Sequence, residues 1–164
     1  MGLTWTEAKI QNLLASAFNK TGLCVPNCGV FGWEADLIRV TPRLLCAEYE
    51  VKISRADFRA DSKSSVKRWR RITLENKHRL ASYFKCTPNY FWYAAPEGVI
   101  PVDEVPPFAG LIEFVEPHRF ETRKKAPRLH KMPLDTRDVL YITRGCALRY
   151  WQQRRSADAA TAKD

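Results

Sequence analysis

The chain contains two apolar segments, 34–40 and 44–53, that are separated only by Thr41-Pro42-Arg43. Both segments are rich in Val, Ile, Leu and Tyr, which favour β-strands, and a short connection containing proline favours a tight turn. The sequence therefore predicts a β-hairpin at this point. A chain built around such a hairpin needs further strands or helices to cover its apolar face.

The rest of the chain alternates between helix and strand signals. Before and after the hairpin we predict a helix from Thr4 to near Gly22, a loop or short strand over 23–32, and a mostly helical segment over 55–79. Further along the chain we predict strands over 90–95 and 111–115 and an irregular segment over 116–133. A last helix is expected from about Asp135 toward Gln153. The length of 164 residues and the apolar fraction of 45% fit one domain, which we place at 1–155. The polar segment 156–164 is expected to be disordered.

The charge balance restricts the partners. With 27 Lys and Arg against 18 Asp and Glu, the formal charge is +9, which favours a polyanion such as DNA, and an anionic membrane surface is the competing partner. No apolar run approaches the roughly 20 residues of a membrane span, and the N-terminus lacks the features of a signal peptide. We therefore expect a cytoplasmic protein with no membrane insertion and no small-molecule cofactor.

Three charged residues stand on the predicted hairpin, where a buried strand would not normally carry charge. Side chains two apart share one face of a strand, so Glu50 and Lys52 lie together and Asp36 comes from the preceding strand. An exposed strand face is the simpler interpretation of a lone Glu-x-Lys pattern. In this context, however, two carboxylates could bind Mg²⁺, which prefers oxygen ligands, and the Val51 carbonyl could add another. Lys52 would then orient or deprotonate a water that attacks a phosphodiester, and would offset the negative charge that builds up in the transition state.

The string from Glu50 to Lys63, EVKISRADFRADSK, with Glu34-Ala35-Asp36-Leu37 upstream, resembles the PD-(D/E)xK superfamily of restriction-endonuclease-like nucleases. It is most similar to MmcB-like DNA repair proteins and related phage-encoded nucleases. The matching pieces cover 34–63 and 88–115. Ala35 stands where the family pattern has proline.

The resemblance implies an α/β fold with a restriction-endonuclease-like core, a mixed central β-sheet flanked by helices, and hydrolysis of DNA with Mg²⁺ or Mn²⁺. By matching positions, the resemblance assigns Asp36 and Glu50 as metal ligands and Lys52 as the catalytic lysine. Many members add an acid from the first helix, so Glu7 is a further candidate ligand, although Glu7 could instead close a capping box with Thr4. Glu48 is a similar candidate, or a salt-bridge partner of Arg43 or Lys52.

A strongly basic tract follows the second strand of the hairpin. A charge run is usually a solvated face, but here Trp69 interrupts the run and could stack on an unpaired base. We therefore expect this tract to contact DNA phosphates beside the metal. The residues assigned to DNA binding are Arg55, Lys63, Lys67, Arg68, Trp69, Arg70 and Arg71.

Together these observations predict a magnesium-dependent deoxyribonuclease that acts in DNA repair, recombination or phage DNA processing, in a bacterial or phage-infected host cell. The alternative is a non-catalytic DNA-binding accessory protein that retains the nuclease fold. The resemblance is also compatible with a homodimer, because nucleases of this fold often dimerise to cut two strands.

Overall fold

The computed structural model describes residues 4–31, 33–61, 88–116 and 119–161, and these residues form a mixed α/β fold in which helices flank a six-stranded sheet. The strands are β1 (Leu23–Cys28), β2 (Ala35–Val40), β3 (Cys46–Val51), β4 (Tyr90–Pro96), β5 (Ala109–Glu116) and β6 (Arg119–Lys124). The helices are α1 (Glu7–Phe18), α2, which begins at 55 and is described as far as 61, and α3 (Thr136–Thr161), with a short 3-10 helix at Val102–Glu104.

The sheet is mixed, with the strands in chain order from β1 to β6. Strands β1, β2 and β3 are antiparallel neighbours, β3, β4 and β5 are parallel neighbours, and β6 returns antiparallel to β5. The predicted hairpin is confirmed as β2 and β3. Its turn is closed by the Thr41 amide, which donates to the Leu45 carbonyl at 2.9 Å, and Leu44 adopts a positive φ of 57°.

Both faces of the sheet are covered. Helix α1 packs Ile10 and Leu14 against one face, which includes Tyr49 of β3. On the other face, α3 packs Ile142 against β1 and β2, and α2 contributes Phe58 to the cluster around Tyr93. Strand β3 is consequently buried along its whole length. Because side chains alternate, its glutamates lie on the face covered by α2 and α3.

Two elements differ from the sequence-based expectation. The segment 116–133 was expected to be irregular, but Arg119–Lys124 forms β6. This edge strand is mostly polar because one side is open, and Phe120 holds it to the sheet through ring contacts with Phe114 and Phe18. Helix α3 continues to Thr161, past the expected end near Gln153 and into the segment 156–164 that was expected to be disordered. The alanines in this last part favour a helix.

The bounds of two predicted elements also change. Helix α1 begins at Glu7 rather than Thr4, because the Thr6 hydroxyl caps it by accepting the Lys9 amide at 3.2 Å. The interpretation that Glu7 closes a capping box with Thr4 is therefore wrong, because the N-cap is Thr6. Strand β3 ends at Val51, so Ile53 leaves the apolar face and is 47% exposed.

Candidate functional site

The structure brings Asp36, Glu50 and Lys52 together at one end of the hairpin, and these three residues are called the candidate site below. Leu37 is the partner of Tyr49 across the two strands, so the continuing register puts Asp36 opposite Glu50. The amide of Val51 donates to Oδ2 of Asp36 at 2.7 Å. Glu50 and Lys52 are 8% and 6% exposed, which rejects the interpretation of Glu50-x-Lys52 as an exposed strand face.

Burial and a neighbouring charge change the acidity of Asp36. The pKa of Asp36 rises to about 7, first because burial disfavours the charged form and second because of the negative charge of Glu50. The hydrogen bond from Val51 opposes this rise. The two carboxylates therefore repel each other, as expected of ligands that share a cation.

Lys52 lies among three carboxylates. Its Nζ is 2.8 Å from Oε1 of Glu50, 3.6 Å from Oδ2 of Asp61 and 3.9 Å from Oδ1 of Asp57. Burial lowers the pKa of Lys52, but the hydrogen bond and charge of Glu50, with the charges of Asp61 and Asp57, outweigh burial and leave this pKa raised. Lys52 is therefore a cation at neutral pH.

Helix α1 reaches the candidate site through Gln11, a polar residue on its buried face. The side-chain amide of Gln11 donates to the backbone carbonyl of Asp36 at 2.9 Å and to Oδ1 of Asn27 at 3.0 Å. The same amide donates to Oε1 of Glu7 at 2.9 Å. The structure thus brings the exposed Glu7 to this end of the sheet, where its charge contributes to the raised pKa of Asp36.

Glu48 is fully buried on the same face as Glu50, two residues further from the candidate site. Its Oε1 accepts a 2.8 Å hydrogen bond from the indole nitrogen of Trp33. This bond fixes Glu48 within the packed interior between the sheet and its helices.

Most of the predicted DNA-binding residues lie outside the described residues, namely Lys63, Lys67, Arg68, Trp69, Arg70 and Arg71. Arg55 is described. It lies exposed at the start of α2, where its guanidinium is 3.4 Å from Oε1 of Glu104, beside the closer pair of Arg59 and Glu104 at 3.0 Å.

Three residues that contact the candidate site, Asp57, Asp61 and Gln11, were not predicted from the sequence to do so. Asp57 and Asp61 are one helical turn apart, so their spacing already indicates a shared face of α2. Their partner could not be read from the spacing, because it depends on α2 folding back toward Lys52. The third residue, Gln11, has a detectable signal as a polar residue between the apolar positions Ile10 and Leu14.

Within the described ranges, no three or more His, Cys, Asp and Glu side chains are grouped so that they could hold a metal ion. Asp36 and Glu50 offer carboxylate oxygens from two residues, a number that a Mg²⁺ site completed by water and substrate oxygens can use. No described helix is both long and apolar enough to cross a membrane.

The fold places the chain in the class of mixed α/β proteins with a helix-flanked, six-stranded mixed sheet. A solved structure of this class, from a protein of unknown function of Silicibacter pomeroyi, superposes on the chain with a TM-score of 0.62 and 20% sequence identity. The similarity covers 95% of this chain and 96% of that one. No family model and no curated protein matches the sequence.

Proposed function

We propose that the chain is a metal-dependent DNA nuclease with a restriction-endonuclease-like core. The observation that carries this proposal is the convergence of two largely buried carboxylates, Asp36 and Glu50, beside the buried cation Lys52. Burying like charges side by side costs stability, and a bound cation offsets that cost. The resemblance of the string 50–63 to PD-(D/E)xK nucleases supports the same assignment.

The donor set fits Mg²⁺ or Mn²⁺, both of which prefer oxygen ligands. Asp36 and Glu50 would hold the ion, Glu7 stands nearby on α1, and the Val51 carbonyl is the further ligand expected from the sequence. The ion, when bound, supplies Lewis-acid activation of water and of the phosphodiester. The amide of Val51 orients one oxygen of Asp36, which leaves the carboxylate positioned before any ion binds.

Lys52 acts in this proposal as a fixed positive charge. Its raised pKa favours two of the roles expected from the sequence, orienting the attacking water and offsetting the negative charge that develops on the phosphate, over deprotonation of the water. Asp61 and Asp57 keep the ammonium group in place from the side of α2.

A nuclease assay tests the proposal. Supercoiled and single-stranded DNA are incubated with Mg²⁺ or Mn²⁺ and with the wild type, Glu50→Gln or Lys52→Ala. The matched control is Glu113→Gln, which replaces a buried carboxylate of β5 that pairs with Arg123 at 3.3 Å. We expect cleavage by the wild type and the control, and a loss of about 100-fold or more in the two site variants, the scale of removing one group that stabilises the transition state. Absence of cleavage by the folded wild type on every substrate contradicts the proposal.

The second candidate function is a non-catalytic DNA-binding accessory protein. The observation that favours it is that one oxygen of each carboxylate is already engaged inside the protein, Asp36 by Val51 and Glu50 by Lys52. In that case Glu50→Gln binds DNA as the wild type does, and neither protein cleaves it.

A further inference from the structure

Helix α3 has an outward face that combines exposed aromatic and apolar side chains with arginines. Its opposite face is docked through Ile142, which is 1% exposed, with Val139 and Cys146 beside it. At 100° per residue, the outward face is centred on Arg144. It carries Leu140, Tyr141, Leu148 and Trp151, which are 66%, 57%, 57% and 51% exposed, and the exposed arginines Arg137, Arg144 and Arg155.

The order of residues on this face indicates the class of partner. Arg144 precedes Leu148 by four residues and Trp151 by seven, so the guanidinium stands among the apolar side chains. A helix that lies on a membrane separates its charged and apolar faces, whereas this arrangement would carry arginine into the lipid with the tryptophan. A nucleic-acid strand needs the interleaved pattern, because bases stack on rings while phosphates contact the arginines between them.

The charge of α3 supports the same partner. Over 136–158 the sequence has five arginines, at 137, 144, 149, 154 and 155, against two aspartates, at 138 and 158. A second copy of this helix would bring arginines toward arginines, which opposes self-association through this face. A polyanion instead complements it.

Helix α3 also passes close to the candidate site. The guanidinium of Arg149 donates to the backbone carbonyls of Asn27 and Pro26 at 3.1 and 3.0 Å. The side-chain amide of Gln11 bridges Asn27 and the carbonyl of Asp36. Trp151 follows Arg149 by two residues, which is about 3 Å along the helix axis. Trp151 is therefore level with the Asp36 end of the sheet along the helix axis, but its indole lies on the outward face of α3, turned away from the sheet.

Local contacts hold the indole of Trp151. The guanidinium of Arg154 lies 5.7 Å from the ring centre, and Tyr150 meets the ring edge-on with 5.4 Å between centroids. These contacts restrict the ring before a ligand binds and keep a positive charge beside it, which lowers the entropy cost of stacking a base.

We propose that the outward face of α3, with Trp151 as the stacking ring and Arg144 as a phosphate contact, binds an unpaired DNA strand. The identity of the nucleic acid as DNA rests on the proposed function. The binding itself does not require cleavage and can be measured without it.

The test is fluorescence anisotropy of a labelled oligothymidylate titrated with protein in EDTA, where metal-dependent cleavage cannot occur. We expect Trp151→Ala to weaken binding at least about fivefold, the lower end of the effect of removing one stacked ring, and Trp151→Phe to retain most of the affinity. Arg144→Gln should lower the slope of log affinity against log salt by about 0.7, the value for one phosphate contact on a single strand. The matched control is Arg43→Gln, which removes an exposed arginine in the β2–β3 turn, at the other end of the hairpin.

Unchanged affinity of Trp151→Ala for the oligothymidylate, with the helix content intact by circular dichroism, overturns the inference. So does a Trp151→Ala variant that loses binding to phosphatidylglycerol vesicles but keeps its affinity for the oligonucleotide, since that result assigns the face to a membrane surface. If the wild type binds through Trp151 but never cleaves DNA, the inference stands and the nuclease proposal fails. If Glu50→Gln abolishes cleavage while Trp151→Ala binds the oligonucleotide normally, the nuclease proposal stands and the inference about α3 fails.

Discussion

The amide of Val51 and the carboxylate of Asp36 are joined by a 2.7 Å hydrogen bond that crosses from β3 to β2. A side chain thus takes the place of a backbone acceptor at the end of the hairpin. The bond fixes one oxygen of Asp36 next to Glu50, although both acids would be better solvated apart. A strand pair that needed only stability would not require an acid at this position.

The raised pKa of Asp36 predicts a pH dependence of stability in EDTA. The folded protein holds the Asp36 proton up to about pH 7, whereas the unfolded chain loses it near its ordinary value of 3.8. The contribution of this group to the free energy of unfolding is therefore greatest below about pH 4 and falls as the pH rises to about 7. Asp36→Asn removes the titration and keeps an acceptor for the Val51 amide.

Urea denaturation at about pH 5 and pH 8 measures this effect. The difference in free energy of unfolding between Asp36→Asn and the wild type should shift in favour of the variant by about 1–2 kcal/mol from pH 5 to pH 8. This figure is smaller than the full linkage predicts because Asp36 is partly exposed. A difference between variant and wild type that stays constant across this range contradicts the raised pKa.

The environment of Lys52 predicts that replacing Lys52 and replacing Glu50, the two members of one ion pair, have unequal effects on the free energy of unfolding. Lys52→Met leaves Glu50, Asp57 and Asp61 without the cation between them and should cost about 3 kcal/mol, as when a buried pair loses one member. Glu50→Gln leaves Lys52 with Asp61 and Asp57 and relieves the repulsion on Asp36, so it should stay within about 1 kcal/mol of the wild type. Denaturation in EDTA near neutral pH compares the two. Equal losses would mean that Glu50 serves mainly as the ion-pair partner of Lys52.

Metal binding should depend on the protonation of Asp36. If Asp36 and Glu50 hold the ion, Mn²⁺ stabilises the folded protein, by about 2.7 kcal/mol when its concentration is 100 times the dissociation constant. Because Asp36 must lose its proton to bind, the increase in melting temperature should be larger at pH 8 than at pH 6. Asp36→Asn should show little increase at either pH, and Glu113→Gln should respond as the wild type does. An equal increase in Asp36→Asn and wild type places the ion elsewhere.

The hairpin and the proximity of its charged residues could be predicted from the sequence, because both follow from local rules. Apolar residues at strand spacing on either side of Thr41-Pro42-Arg43 indicate β2 and β3, and alternation with antiparallel register then brings Asp36 to Glu50. Burial was harder to anticipate. Glu50 and Lys52 are covered because β3 lies inside the sheet with helices on both faces, which depends on the whole fold.

Strand β6 shows why an edge strand escapes sequence analysis. Arg119–Lys124 contains one apolar residue, Phe120, so its composition resembles a loop. The strand forms because β5 offers it a free edge and because Phe120 packs on Phe114. Neither condition is visible within the six residues themselves.

Gly110 on β5 should not tolerate a side chain. A Cβ at this position would lie 2.4 Å from a ring carbon of Trp92 and 2.6 Å from the backbone nitrogen of Ala126. Gly110→Ala must therefore displace both the indole and the chain that follows β6, which should cost about 1–3 kcal/mol. Gly29→Ala is the matched control, since nothing lies within 4 Å of its added Cβ. Equal urea midpoints for the two variants would contradict the close packing of Trp92 on Gly110.

Asn89 should be the most sensitive asparagine among those in the described residues, because it joins β3 to the chain after β6. Its Oδ1 accepts the Cys46 amide at 2.8 Å, and its Nδ2 donates to the carbonyls of Met132 and His130 at 2.8 and 3.1 Å. Asn89→Ala leaves the buried Cys46 amide unsatisfied and should cost about 2–4 kcal/mol. Asn89→Asp keeps the acceptor but turns a carboxylate toward two carbonyls, so it should be destabilising at neutral pH and partly recover in acid.

The control is Asn19→Ala, which removes an exposed 3.3 Å bond to the Cys24 amide and should change the free energy of unfolding by less than about 1 kcal/mol. Similar losses in Asn89→Ala and Asn19→Ala would show that the Asn89 bonds do not hold these segments together.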